Sequence, residues 1–114
     1  MAELKPELAT VIARRFAVLG EATRLRLLYE MKARGEASVS ELVEATGGTQ
    51  ANTSRHLGVL LSERMVARRR AGTRALYRIA DPTLIAICEQ VCNSVVDQSR
   101  ELETLASSAR GIPT

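Results

Sequence analysis

Two thiols and a run of guanidinium groups are the side chains of this sequence with the most chemistry to offer. Cys88 and Cys92 lie in Ile87-Cys88-Glu89-Gln90-Val91-Cys92. On a helix, positions i and i+4 share one side, with Cβ atoms about 5–6 Å apart. A disulfide prefers about 3.5–4.5 Å between Cβ atoms, so an unstrained bond within the helix is not expected. Two thiolates can instead chelate a soft ion, with a second copy of the chain supplying further ligands across a dimer axis. A trivalent arsenical or antimonial suits that chemistry; a persulfide or an oxidant is a second kind of signal for the same thiols. Cysteine is also a common small buried residue, and both positions lie on or beside an apolar stripe. The residues leave all three readings open.

The arginines are concentrated. Residues 49–80 hold Arg55, Arg64, Arg68, Arg69, Arg70, Arg74 and Arg78 against Glu63 alone, a net +6. Residues 1–48 are neutral and residues 81–114 carry −3, so the formal +3 of the whole chain conceals a strongly basic middle third. Such a segment is the electrostatic footprint of a surface that meets phosphates.

Other chemistry is largely excluded. His56 is the single histidine, and its sequence neighbours Arg55 and Leu57 offer no carboxylate to orient it as a base. No P-loop, dinucleotide-type glycine pattern or HExxH motif is present, so an enzyme is not expected. No apolar run approaches the ~18 residues of a membrane span, and no signal-peptide core follows Met1. Two cysteines do not make a disulfide framework, and a reducing compartment would keep them as thiols. A soluble, cytoplasmic protein with no membrane partner is expected. At 114 residues, 46% apolar and 25% charged, the chain has the size and composition of one folded domain. Its aromatics are Phe16, Tyr29 and Tyr77 alone, which argues against a sugar-binding or base-stacking platform.

The elements that must position these groups follow from periodicity and punctuation. Leu8, Val11, Ile12, Phe16 and Leu19 predict a helix over 7–19, and a second helix follows from about Ala22 to Arg34, stopped by Gly35. Ser38-Val39-Ser40-Glu41 fits a capping box, starting a short helix that ends at Gly47-Gly48. Thr49 can cap the next helix, which runs to about Arg64 with Thr53, Leu57, Leu60 and Leu61 on its inner face. Two short helices joined by a tight glycine turn form a helix-turn-helix pattern. Over 66–79 the period changes to two. Ala75, Tyr77 and Ile79 alternate with Arg74, Leu76 and Arg78, and Ala71-Gly72-Thr73 separates the two arms. A basic β-hairpin directly after a helix-turn-helix is a winged helix. Asp81-Pro82 then opens a last helix to about Ser107, whose seam of Leu84, Cys88, Val91, Val95, Gln98, Leu102 and Leu105 is too long for a monomer of this size to cover.

The expected fold is therefore mainly α with a small β-hairpin wing, an α+β winged helix-turn-helix that dimerises through its terminal helices. One domain is expected over 1–110, with the helix-turn-helix at about 38–64, the wing at 66–79, a C-terminal dimerisation helix at 82–107 and a tail at 111–114. The outer face of the helix after Thr49 carries Gln50, Ala51, Ser54 and Arg55. Glutamine can pair with adenine, arginine with guanine, and alanine can touch a thymine methyl. His56 flanks this set, as a phosphate or packing contact. Alternation sends the wing arginines to two faces, and Arg70 and Arg74, nearest the tip, are the expected backbone or minor-groove contacts to DNA.

The sequence resembles the ArsR/SmtB family of bacterial winged-helix repressors in four stretches. They are Leu19-Gly-Glu-Ala-Thr-Arg-Leu-Arg-Leu-Leu28, Ser38-Val-Ser-Glu-Leu42, Thr49-Gln-Ala-Asn-Thr-Ser-Arg-His-Leu-Gly-Val-Leu60, and the wing into Tyr77-Arg-Ile-Ala-Asp-Pro82. Together they span roughly residues 10–90 in order. The resemblance implies a homodimer that binds double-stranded operator DNA and represses transcription until an inducer arrives, with Gln50, Ala51, Ser54 and Arg55 at DNA-contacting positions. Thr53 departs from the apolar residue usual at its place. The family's metal sites do not carry over: the cysteine pair would fall near Ser38 and Ser40, and the zinc sensors need imidazoles on the last helix, where there are none. Cys88 and Cys92 are left as the sensor candidates, for a soft metal or metalloid ion or for a thiol-redox or persulfide signal. Two alternatives stand beside this reading: a regulator whose cysteines are structural, and a winged helix that serves as a protein-interaction module.

Overall fold

A computed structural model describes residues 3–109. The elements run α1 (Pro6–Leu19), α2 (Ala22–Arg34), β1 (Ala37–Ser38), α3 (Val39–Thr46), α4 (Gln50–Ser62), β2 (Val66–Ala71), β3 (Arg74–Ile79) and α5 (Pro82–Ala109). The chain divides between Asp81 and Pro82 into two compact units. The domain expected over 1–110 thus resolves into a helix-and-sheet unit and one long helix. The tail expected at 111–114 lies outside the described residues.

Local chemistry explains where the helices of the first unit begin and end. Pro6 opens α1, where its missing N–H costs nothing. The Glu21 carboxylate accepts from the Arg24 amide at 3.0 Å and caps α2. Ser38 and Glu41 form the reciprocal capping box: the Glu41 amide donates to Ser38 Oγ at 3.2 Å, and the Ser38 amide donates to Glu41 Oε1 at 2.9 Å. Gly47 ends α3 with φ 76° and ψ 12°, the left-handed conformation that glycine adopts most easily. Thr49 then starts α4 by accepting from the Asn52 amide at 3.1 Å. The turn between the two helices is therefore built from one left-handed residue and one cap.

β2 and β3 form an antiparallel hairpin in the expected place, with Gly72 at φ 64° in the tip. The sheet has a third strand that periodicity does not reveal. β1 pairs with β3 through Ala37 opposite Tyr77 and Ser38 opposite Leu76, giving the strand order β1-β3-β2. Leu76, expected to alternate outward with Arg74 and Arg78, is buried, as is Tyr77 on the other face of β3. Helix α4 also stops two residues short of Arg64. Arg64 takes φ 60°, and the chain turns so that Met65 and Val66 enter the core as β2 begins.

The core of this unit is aliphatic: Leu27, Leu28 and Met31 of α2, Leu42 of α3, Leu57 and Leu60 of α4, and Met65 and Val66 are fully buried. By contrast, Leu8, Val11, Ile12 and Phe16 on α1 remain exposed, as do Val91, Val95, Val96, Leu102 and Leu105 on α5. Contiguous apolar surface of this kind is characteristic of interfaces.

Replacing Leu57, which is 0% exposed, by alanine is expected to lower the unfolding free energy by about 2–5 kcal/mol. Replacing exposed Ser54 three positions earlier should change it by less than about 0.5 kcal/mol. Urea denaturation of the two variants checks the orientation of α4.

Candidate nucleic-acid interface

Helix α4 buries Thr53, His56, Leu57 and Leu60. A helix with that stripe inside must turn the opposite side outward, and Gln50, Ala51, Ser54 and Arg55 are all exposed. They occupy the first half of the helix, at the end held by the Thr49 cap. The buried threonine at position 53 is accommodated, with its amide donating to the Thr49 carbonyl at 3.0 Å.

Arg55 is held on this face. Its Nη2 donates to Asn52 Oδ1 at 2.7 Å, one helical turn back, and lies 3.4 Å from His56 Nε2. His56, expected as a phosphate or packing contact, is 5% exposed and faces inward. Its Nδ1 is 3.2 Å from Arg24 Nη1 and 3.8 Å from Glu21 Oε2. A carboxylate does therefore stand beside this imidazole, brought by the α1–α2 corner and invisible to neighbour-based reading. Burial pushes the His56 pKa down, an effect opposed by Glu21 and reinforced by Arg55 and Arg24. The ring is thus neutral near pH 7.

The wing arginines sort by pairing register. Arg68 and Arg70 stand opposite Tyr77 and Ala75, while Arg69 and Arg78 stand opposite Leu76 and Ala67 and Arg74 opposite Ala71. Directly opposed residues share a sheet face, so Arg70 and Arg74 lie on opposite faces of the ribbon. The face of Arg69, Arg74 and Arg78 is also the one that acids approach. Glu36 accepts two hydrogen bonds from Arg69, from Nε and Nη2, each 2.7 Å long. Glu41 stands 3.8 Å from Arg74 Nη1 and 3.8 Å from Arg34 Nη1. Sequence reasoning missed Glu36, Glu41 and Arg69 as a set that seats the wing, because the partners come from separate elements. Asn52 was findable, as an acceptor three residues before an arginine on a helix.

Residues 21–68, which run from the α2 cap through both helices of the turn to the first half of β2, match the family described as bacterial regulatory protein, arsR family. The arsenical resistance operon repressor of Bacillus subtilis (strain 168) is 31% identical over 93 residues, covering 81% of this chain and 89% of that protein. The chain belongs to the arsR family.

Solved structures agree with this membership. The antimony-specific transcriptional repressor AntR superposes with a TM-score of 0.73 at 28% identity, over 88% of this chain and 99% of that one. The homodimeric winged helix-turn-helix DNA-binding domain Mb0332 from Mycobacterium bovis gives 0.72 at 32% identity, over 86% and 95%. The fold of this arsR-family chain is a winged helix-turn-helix, and the protein is a regulator, not an enzyme. No helix among the described residues is long and apolar enough to cross a membrane.

The thiols lie on α5. Cys88 is half-buried and Cys92 exposed, both free, and burial raises the Cys88 thiol above its usual pKa. Among the described residues no group of three or more His, Cys, Asp or Glu side chains converges as a metal site.

The Arg69 hydrogen bonds hold the Glu36 carboxyl below its ordinary value of 4.5. Their contribution to stability is complete above that value and disappears as pH falls through the lower folded value. Glu36→Gln is expected to unfold at a lower temperature than wild type at neutral pH, with the two Tm values converging as the solution is acidified below about pH 4. Thermal melts across that range check it.

Proposed function

We propose that this chain is a homodimeric transcriptional repressor that reads operator DNA with α4 and releases it when a thiophilic inducer engages Cys88 and Cys92. The observation that carries the reading is the exposed half of α4. There, Gln50, Ala51, Ser54 and Arg55 form one capped, outward face with the donor and acceptor types that distinguish base edges in a major groove. In this reading Gln50 pairs with adenine, Arg55 with guanine, Ala51 meets a thymine methyl and Ser54 makes a base or phosphate hydrogen bond. Arg70 and Arg74, on the two faces of the wing near its tip, take backbone or minor-groove contacts. Arg68 shares the face of Arg70 and adds to its field. His56 serves the interface from behind.

The homodimer is supported by the uncovered apolar faces of α1 and α5, and by the homodimeric state of the Mycobacterium bovis domain. A two-fold dimer presents two copies of α4 to two half-sites. The inducer reading rests on the thiol pair one turn apart, and on relatives named for arsenical and antimony response. Two sulfurs per chain make a trivalent arsenite or antimonite the preferred class, its remaining ligand coming from the partner copy or from solvent.

A duplex selected from random DNA should bind tightly, with affinity falling steeply as salt rises because phosphate contacts release counterions. Finding no duplex preferred over random sequence overturns the reading. Arg55→Ala should relax selectivity at one base pair by about 1–3 kcal/mol. Arg70→Ala should weaken all duplexes alike and flatten the salt dependence. Joint replacement of Phe16 and Val95 by glutamate should give a monomer in sedimentation and weaken operator binding about tenfold or more. Arsenite should release wild type from the operator but not Cys88→Ser or Cys92→Ser. Release of all three alike makes the thiols structural.

A further inference from the structure

The side chain that contributes no contact of its own to the interface is the one best placed to control it. The His56 ring is buried between two guanidinium groups from different elements: Arg24 Nη1 lies 3.2 Å from Nδ1, and Arg55 Nη2 lies 3.4 Å from Nε2. A guanidinium carries donors only, and a neutral imidazole has one acceptor nitrogen. The ring can therefore accept from Arg24 or from Arg55, but not from both at once.

The two arginines differ in how much they need the ring. Arg24 is fixed without it: Nε donates to the Val18 carbonyl at 2.7 Å, and its amide is held by Glu21. Arg55 is exposed, and its other partner is Asn52 on its own helix. Placing the ring proton on Nδ1 leaves Nε2 to accept from Arg55 and sets the Nδ1 donor against Arg24, with the Glu21 carboxylate 3.8 Å away. Placing it on Nε2 lets Nδ1 accept from Arg24 and leaves Arg55 to Asn52 alone.

We propose that His56 is a positioning residue for DNA selectivity, its Nε2 fixing the Arg55 guanidinium in the orientation that reads a base, while Arg24, already held by the Val18 carbonyl, gives up the ring's single acceptor site. The inference rests on the reading of Arg55 as a base contact. Protonation of the ring removes the acceptor and places a third positive charge among the guanidiniums. The charged groups that face the ring are Glu21 and Arg24 from the α1–α2 corner and Arg55 from α4. Acidification therefore releases Arg55 from the ring while the apolar contacts of α4 persist. The consequence is a loss of selectivity that differs from a general loss of binding, because phosphate contacts by the wing do not involve His56.

Glutamine and asparagine separate the two nitrogens. Glutamine carries its amide out to the neighbourhood of Nε2, whereas asparagine reaches only that of Nδ1. The experiment measures full-length wild type, Arg55→Ala, His56→Gln and His56→Asn on the selected operator duplex and on its single-base variants, at fixed salt, from about pH 7.5 downward for as long as each variant stays folded. Unfolding midpoints are recorded alongside. At the base pair where Arg55→Ala relaxes selectivity, His56→Asn is expected to lose about tenfold in discrimination and His56→Gln to stay within about threefold of wild type. Wild type should lose discrimination as the pH falls and His56→Gln should not, a comparison that holds even if His56→Asn folds poorly. Discrimination by His56→Asn equal to wild type, or a pH response shared by wild type and His56→Gln, overturns the proposal and leaves His56 a packing residue. An Arg55→Ala variant that relaxes no base pair instead removes the reading on which the proposal stands, and the proposal with it.

Discussion

The stripe that α4 buries decides the direction of everything else on that helix. Thr53, His56, Leu57 and Leu60 fit a single inward face, and a shift of one residue would turn the helix by about 100° about its axis. Such a shift would drive Arg55 toward the aliphatic core and expose leucine in its place. Because the stripe contains a histidine, apolar packing alone cannot satisfy it. The Glu21–Arg24 corner supplies the polar partners, so the junction of α1 and α2 belongs to the same constraint as the recognition surface. The Arg24 side chain also satisfies a carbonyl near the end of α1, tying three helices through one residue.

What was legible in the sequence was local. The Ser38–Glu41 box, the left-handed Gly47, the Thr49 cap and the Gly72 hairpin each depend on residues within a few positions of one another. Their chemistry therefore appears in the order of the letters. The outward set on α4 followed from periodicity for the same reason. β1 escaped notice because two residues show no period, and the burial of Leu76 escaped because alternation set it with Arg74 and Arg78. For His56 a packing role was open, but its partners escaped because they stand on another helix. Nothing near position 56 announces Glu21, and the two long-range pairs that seat the wing, Glu36 with Arg69 and Glu41 with Arg74, are equally silent in the sequence.

The two units divide the chemistry between them. The first carries the basic surface and a complete aliphatic core, together with an uncovered row on α1. The second is a helix with apolar residues along most of its length and an acidic balance. Residues that would be a liability on a solitary chain are coherent once the dimer of the proposed function is formed. The thiols then share their helix with the interface, so chemistry at Cys88 would be felt by the contacts that hold two reading heads at a fixed spacing.

The clamp between Glu36 and Arg69 has a further consequence. Bidentate arginine–carboxylate pairs fix orientation as well as charge, and this one joins the loop before β1 to the middle of β2. The hairpin therefore carries its own counterion and is braced before any polyanion is near. An arm of this kind forfeits one positive charge but loses less conformational freedom on docking than a mobile basic loop would. If the wing meets DNA as in the proposed function, part of the entropic cost of recognition is met during folding, by a carboxylate that need never touch the ligand.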